Sequence, residues 1–143
     1  MLILDPKTGI RLSYCKGLDD FYREIGCDTI DITSRRICGK SFDIIVDDEG
    51  LLKEGAETKV SALVQQDGQL APQLVGTLIF TNHDAAGNTT DLSLDDTFLI
   101  SSRIHKFTCR NRENDQEHEN YCVVLDPVEP ITETDIAAWL GGD

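Results

Sequence analysis

His105 and Cys109 are separated by three residues, and His118 and Cys122 repeat that spacing further along the chain. Imidazole nitrogen and thiolate sulfur are the donors that structural zinc prefers, so these four form a candidate metal set. The spacing matches no common zinc module, and Cys122 lies in the apolar run 121–125, where a thiol packs as a small hydrophobe. The expectation is therefore no metal and no cofactor. Arg35, Arg36 and Lys40 make the one basic knot in the first half and could clamp a phosphate or carboxylate. The competing reading is an edge strand guarded by charge against aggregation. Asp47-Asp48-Glu49-Gly50 groups carboxylates as a hard cation would require, but without calcium-loop spacing. It reads as a glycine-closed turn. No GxSxG, HExxH, Walker A or dinucleotide fingerprint is present, so nothing argues for an enzyme.

Charge says more than any of these motifs. The chain carries 13 Lys and Arg against 26 Asp and Glu, a net charge of −13. The stretch 113–143 has nine carboxylates and no Lys or Arg. Solubility of a small domain asks for a magnitude of only ~2–8. A field of this sign repels nucleic acid and anionic membrane and attracts basic protein surfaces. The expected contact set is Asp95 and Asp96 with Glu113, Asp115, Glu117 and Glu119.

The elements that must position these residues follow from periodicity and turn chemistry. At 143 residues the chain fits one domain, 1–143. An apolar run, the turn Asp5-Pro6-Lys7-Thr8-Gly9 and a second run at 10–14 predict strand, turn, strand. Leu18, Phe21, Tyr22 and Ile25 fall at i, i+3, i+4 and i+7, which predicts a helix closed by Gly26. Alternation over 28–33 predicts a strand, and 35–38, a turn at Gly39-Lys40 and 42–46 predict a hairpin. Val60, Leu63 and Val64 suggest a short helix ending near Gln66 and stopped by Asp67-Gly68. Residues 74–80 read as one apolar strand interrupted by Gly76, and Ser93 caps a helix over 94–105. An exposed polar loop is expected over 108–120, a strand over 121–125, and an acidic extension over 126–143 with a short helix. Strands and short helices without a βαβ period give an α+β class, a small mixed or antiparallel sheet with a few short helices packed on it. The expected core sets Ile30, Ile32, Phe42, Ile44, Val46, Val75, Leu78 and Phe80 against the helix face.

The ordered set Leu18-Asp19-Asp20-Phe21-Tyr22-Arg23-Glu24-Ile25-Gly26, Ile30-Asp31-Ile32, Phe42–Lys53 and Leu74–Ile79 resembles a family of uncharacterised proteins of bacteriophages and mobile elements, a domain of unknown function numbered 3846. The resemblance covers mainly residues 1–80. It implies no catalytic residues, and it implies genomic company that includes antagonists of host defence.

Five cysteines, an odd number without a CxxC pair, suit a reducing compartment, and no signal-peptide pattern opens the chain. The expected location is cytoplasmic. The leading functional expectation is a non-enzymatic DNA mimic that occupies a basic, nucleic-acid-binding host protein, of anti-restriction or anti-CRISPR type, with no direct contact to nucleic acid or membrane. The alternative is a small regulatory domain that binds an anionic ligand at Arg35, Arg36 and Lys40.

Overall fold

The computed structural model describes residues 1–50, 53, 55–110 and 117–127. In order the elements are β1 (Leu2–Asp5), β2 (Gly9–Leu12), α1 (Leu18–Ile25), β3 (Ile30–Ile37), β4 (Lys40–Asp47), β5 (Val60–Gln66), β6 (Gln69–Val75), β7 (Leu78–His83), β8 (Thr89–Thr90), α2 (Leu94–Ser101), β9 (Ile104–Arg110) and β10 (Glu117–Leu125). A six-stranded sheet runs β2-β1-β7-β4-β3 with β8 on β7, and a four-stranded sheet runs β6-β5-β10-β9. The class is mainly β, which corrects the α+β expectation.

Two segments read as helical carry that correction. Residues 60–66 are β5, hairpinned to β6 through Asp67 and Gly68, whose φ values of 52° and 77° are those of a type I′ turn. Irregular register between Val60 and Leu63 and burial on both faces imitate a helical stripe there. The helix expected over 94–105 stops at Ser101, and Ile104 and His105 already belong to β9. The run 74–80 is likewise two strands in two sheets, turned apart at Gly76 with φ 78°.

Other turns behave as their residues dictate. Gly26 closes α1 in the left-handed conformation, and its N–H bonds the Tyr22 carbonyl. Cys38 (φ 51°) and Gly39 (φ 80°) form the β3–β4 hairpin turn.

The core is divided by the pleat. Leu2, Leu4, Phe42, Ile44, Val46, Leu78 and Phe80 face inward against Ala62, Val123 and Leu125 of the second sheet and Ile100 of α2. The alternate residues Ile3, Ile45 and Ile79 point outward and receive Phe21 of α1 together with Cys15. This corrects the expected core. Phe42, Ile44, Val46 and Phe80 pack between the sheets rather than against the helix, and Ile32, on an edge strand, is exposed.

Helix α1 is also tied to β2 by charge. Glu24 accepts hydrogen bonds from Arg11 Nη2 and, at 3.0 Å, from Ser13 Oγ. The Arg11 hydrogen bond, helped by Ser13, holds the Glu24 carboxyl below the usual carboxylate range. A depressed folded-state pKa contributes stability that is complete above the unfolded value, about 4.3, and is lost as pH falls through the folded one. The melting temperature of the wild type is therefore expected to fall more steeply than that of Glu24→Gln below about pH 4. Parallel slopes from pH 7 to pH 3 would show that the tie contributes nothing.

Candidate functional sites

The two acids expected at the start of α2 part company. Ser93 Oγ accepts the Asp96 N–H at 3.1 Å, as an N-cap should. The buried Asp96 carboxylate does not turn back to complete a capping box. It accepts from Lys40 Nζ at 2.6 Å and from Asn82 Nδ2 at 3.3 Å. Asp96 is thus a structural ion-pair partner rather than a contact residue, and Lys40 leaves the expected anion site to meet it. Asp95, its neighbour, is exposed.

The expected polar loop is shorter than 108–120. Residues 108–110 lie in β9 and 117–120 in β10, while Glu113 and Asp115 fall outside the described residues, as does the short helix expected within 126–143. Glu119 pairs with Lys106 at 3.0 Å, and Glu117 is exposed. Six rungs of the β9–β10 ladder separate Glu117 from Val123, which faces Ile104 just after α2. At ~3.3 Å per residue this is about 20 Å. Of the described members of the expected set, Asp95, Glu117 and Glu119 are exposed and Asp96 is buried.

The same ladder decides the metal candidates. His118 faces Cys109 across the strands, and Cys122 faces His105. The repeated spacing therefore builds two His–Cys rungs four residues apart, ~13 Å along the strands, too far to share one ion. Cys122 is fully buried, and its Sγ lies 3.3 Å from the Val60 carbonyl oxygen. Between the rungs sits fully buried Asn120, whose Nδ2 donates to the carbonyls of Thr58 (3.1 Å) and Val60 (3.0 Å) and whose Oδ1 accepts from Lys7 Nζ (2.8 Å). Among the described residues no cluster of three or more His, Cys, Asp or Glu could hold a metal ion.

The turn between Arg36 and Lys40 holds a carboxylate of the chain itself, and it does so with backbone N–H groups rather than with the basic side chains. At the β3–β4 turn the N–H groups of Cys38 and Gly39 donate to the two oxygens of Asp126, at 2.9 and 2.6 Å. Successive backbone N–H groups of this kind make an anion-binding concavity. Arg36 bonds the Gly39 carbonyl at 2.8 Å, and Arg35 bonds Thr33 Oγ1 and the Ser34 carbonyl. Beside this latch lies an open groove of about 690 Å³ lined by Ser34, Arg35, Arg36, Gln73 and Asp126.

Three features escaped the sequence reading because topology creates them. Asp28, Asp31, Asp48 and Glu49 meet at the open end of the β3–β4 hairpin, all exposed and without an ion pair among the described residues. A smaller cavity of about 260 Å³ has Lys7, Lys53 and Lys59 on its walls, with Lys53 held 2.6 Å from Asp47 and Lys7 engaged by Asn120. Finally, β2 and α2 flank an open groove of about 490 Å³ lined by Leu12, Tyr14 and Leu94.

The model of a family described as a domain of unknown function, DUF3846, matches residues 1–106. No curated protein and no solved structure matches the chain.

Proposed function

The chain belongs to the DUF3846 family, and we propose that it is a non-enzymatic interaction protein that binds a basic protein through its exposed carboxylates. The observation that carries this reading is the hairpin end where Asp28, Asp31, Asp48 and Glu49 stand exposed, with no ion pair among the described residues, on a chain of net charge −13. Backbone pairing in β3 and β4 fixes the two strands that carry or flank these four side chains. Fixed negative charge of this kind steers a basic partner and sets its orientation more than it adds raw affinity. The finer reading is that the partner is a nucleic-acid-binding defence protein of a host, that the carboxylates stand in for phosphates, and that the chain works in the cytoplasm in phage or mobile-element company. Its support is the sign and size of the charge and the sequence resemblance. Among the described residues no helix is long and apolar enough to cross a membrane.

Salt tests this directly. The Debye length falls from about 10 Å at 0.1 M to 3 Å at 1 M, so capture of basic proteins from a bacterial lysate should drop steeply between those concentrations. Reversing Asp28, Asp31, Asp48 and Glu49 to Lys should abolish capture. The melting temperature should hardly move, since exposed substitutions seldom exceed about 0.5 kcal/mol each. Capture that is indifferent to salt and to the quadruple reversal would refute the reading.

A further inference from the structure

Leu12 on β2 is the cross-strand partner of Leu2 on β1, and residues directly opposed in a sheet share a face. Leu2 lies between the two sheets and is 1% exposed, whereas Leu12, one strand further out, is 72% exposed. The apolar face of the larger sheet thus continues past the edge of its cover. Tyr14 follows two residues later at 76%, and α2 contributes Leu94 at 70% and Phe98, one helical turn on, at 65%. These four are the most exposed large apolar side chains among the described residues. Scattered singly they would need no explanation, but three of them line one groove and the fourth shares its helix face, which marks an interaction surface.

The charges around the groove select its occupant. No Lys or Arg lines it. Asp91 is its charged side chain, 3.1 Å from the Met1 amino group, and exposed Asp95 adjoins Leu94. A second copy would bring two chains of net charge −13 together, whereas a basic segment meets attraction at the rim and apolar cover at the centre. We propose that the groove between β2 and α2 is the docking site for an amphipathic segment of a partner protein, apolar on one face and Lys/Arg-rich on the other. This rests on the reading of the partner as basic. It adds a face at the sheet edge opposite the acidic hairpin end, about 19 Å away across four strand spacings.

Two synthetic peptides of ~18 residues, about five helical turns, make the test. One is a Leu/Lys amphipath, and the other has Ser for every Leu at the same charge. Titrated into the isotope-labelled full chain, the Leu/Lys peptide should shift the amide signals of Leu12, Tyr14, Leu94 and Phe98. Leu12→Ser with Phe98→Ser should weaken it roughly tenfold or more, as loss of interface anchors does, while barely changing the Ser/Lys peptide. The melting temperature should hold, because both side chains are exposed. The proposal is overturned by signal changes elsewhere, or by Leu/Lys affinity that stays within about twofold of wild type, a difference of under 0.5 kcal/mol. Nuclear Overhauser contacts from the chain's own Trp139 into the groove would also overturn it, as would self-association lost with the double substitution. Salt separates the two readings. Leu/Lys binding that weakens with salt yet ignores the double substitution removes the groove alone, whereas binding of both peptides indifferent to salt removes the basic partner and the groove with it.

Discussion

Phe42→Ala should destabilise the fold by about 3–5 kcal/mol, the usual cost of emptying a fully buried aromatic site. Phe42 is 1% exposed and sits among Leu2, Leu4, Ile44 and Phe80 opposite Ala62 and Val123, so the cavity opens in the layer that joins the two sheets. That loss is a large share of the roughly 5–15 kcal/mol that holds a domain folded. Both sheets should melt together, as in a cooperative unit. Phe98→Ala is the internal control, since Phe98 is mostly exposed and its loss should stay within about 0.5 kcal/mol. Urea unfolding of the two variants beside the wild type measures both. Equal midpoints for Phe42→Ala and Phe98→Ala would mean that the inter-sheet packing described above is wrong.

Asn120→Ala should cost about 2–3 kcal/mol, although it removes only a small polar side chain. Its amide group donates to two backbone carbonyls, those of Thr58 and Val60, and accepts from Lys7, joining β10 to the strand entry of β5 and to the β1–β2 turn. Truncation leaves buried acceptors without donors, and each such group carries a penalty of about 1–3 kcal/mol. Asn120→Asp tests the same network by charge. Its second oxygen cannot donate to the carbonyls, so the aspartate should be no more stable than the alanine variant despite the nearby Lys7. A thermal melt of either variant matching the wild type would show that the network is satisfied in another way.

Local chemistry made some of this legible in advance. Helix α1 followed from Leu18, Phe21, Tyr22 and Ile25 with Gly26 behind them, because both the period and the left-handed cap are properties of neighbouring residues. The hairpin turned at Asp5–Gly9 was readable for the same reason, and that of β3 and β4 was readable with its turn one residue late, at Gly39-Lys40 rather than Cys38-Gly39. Asp67-Gly68 was not, since an Asp-Gly pair suits both the end of a helix and a type I′ turn, and the bulged strand before it buries residues at helical intervals. Which side of the sheet received α1 was equally hidden. Period two separates Ile45 from Ile44 and Val46, but only the tertiary arrangement says which set meets the helix.

The sites were less legible than the fold, because their partners are distant in sequence. Nothing near Lys40 announces Asp96, fifty-six residues on, and nothing near Cys38 announces Asp126. The paired His and Cys spacing resembled one site until strand register distributed it over two rungs. Charge was visible in composition alone, whereas the convergence of Leu12, Tyr14 and Leu94 exists only after β2 and α2 are placed side by side.

The parallel pairing of β10 with β5 sets the timing of folding. Val123 pairs with Ala62, so the second sheet lacks an interior strand until a segment some sixty residues downstream has been made. At ~5–20 residues per second of synthesis, β5 and β6 wait about 3–11 s after emerging before β10 can join them. During that interval the Val60–Val64 edge is unpaired and apolar, a template for pairing with other nascent chains. A chain interrupted between β6 and β10 should therefore be cleared by proteases or aggregate rather than accumulate, and refolding of the complete chain should be limited by the long search that unites the two strands.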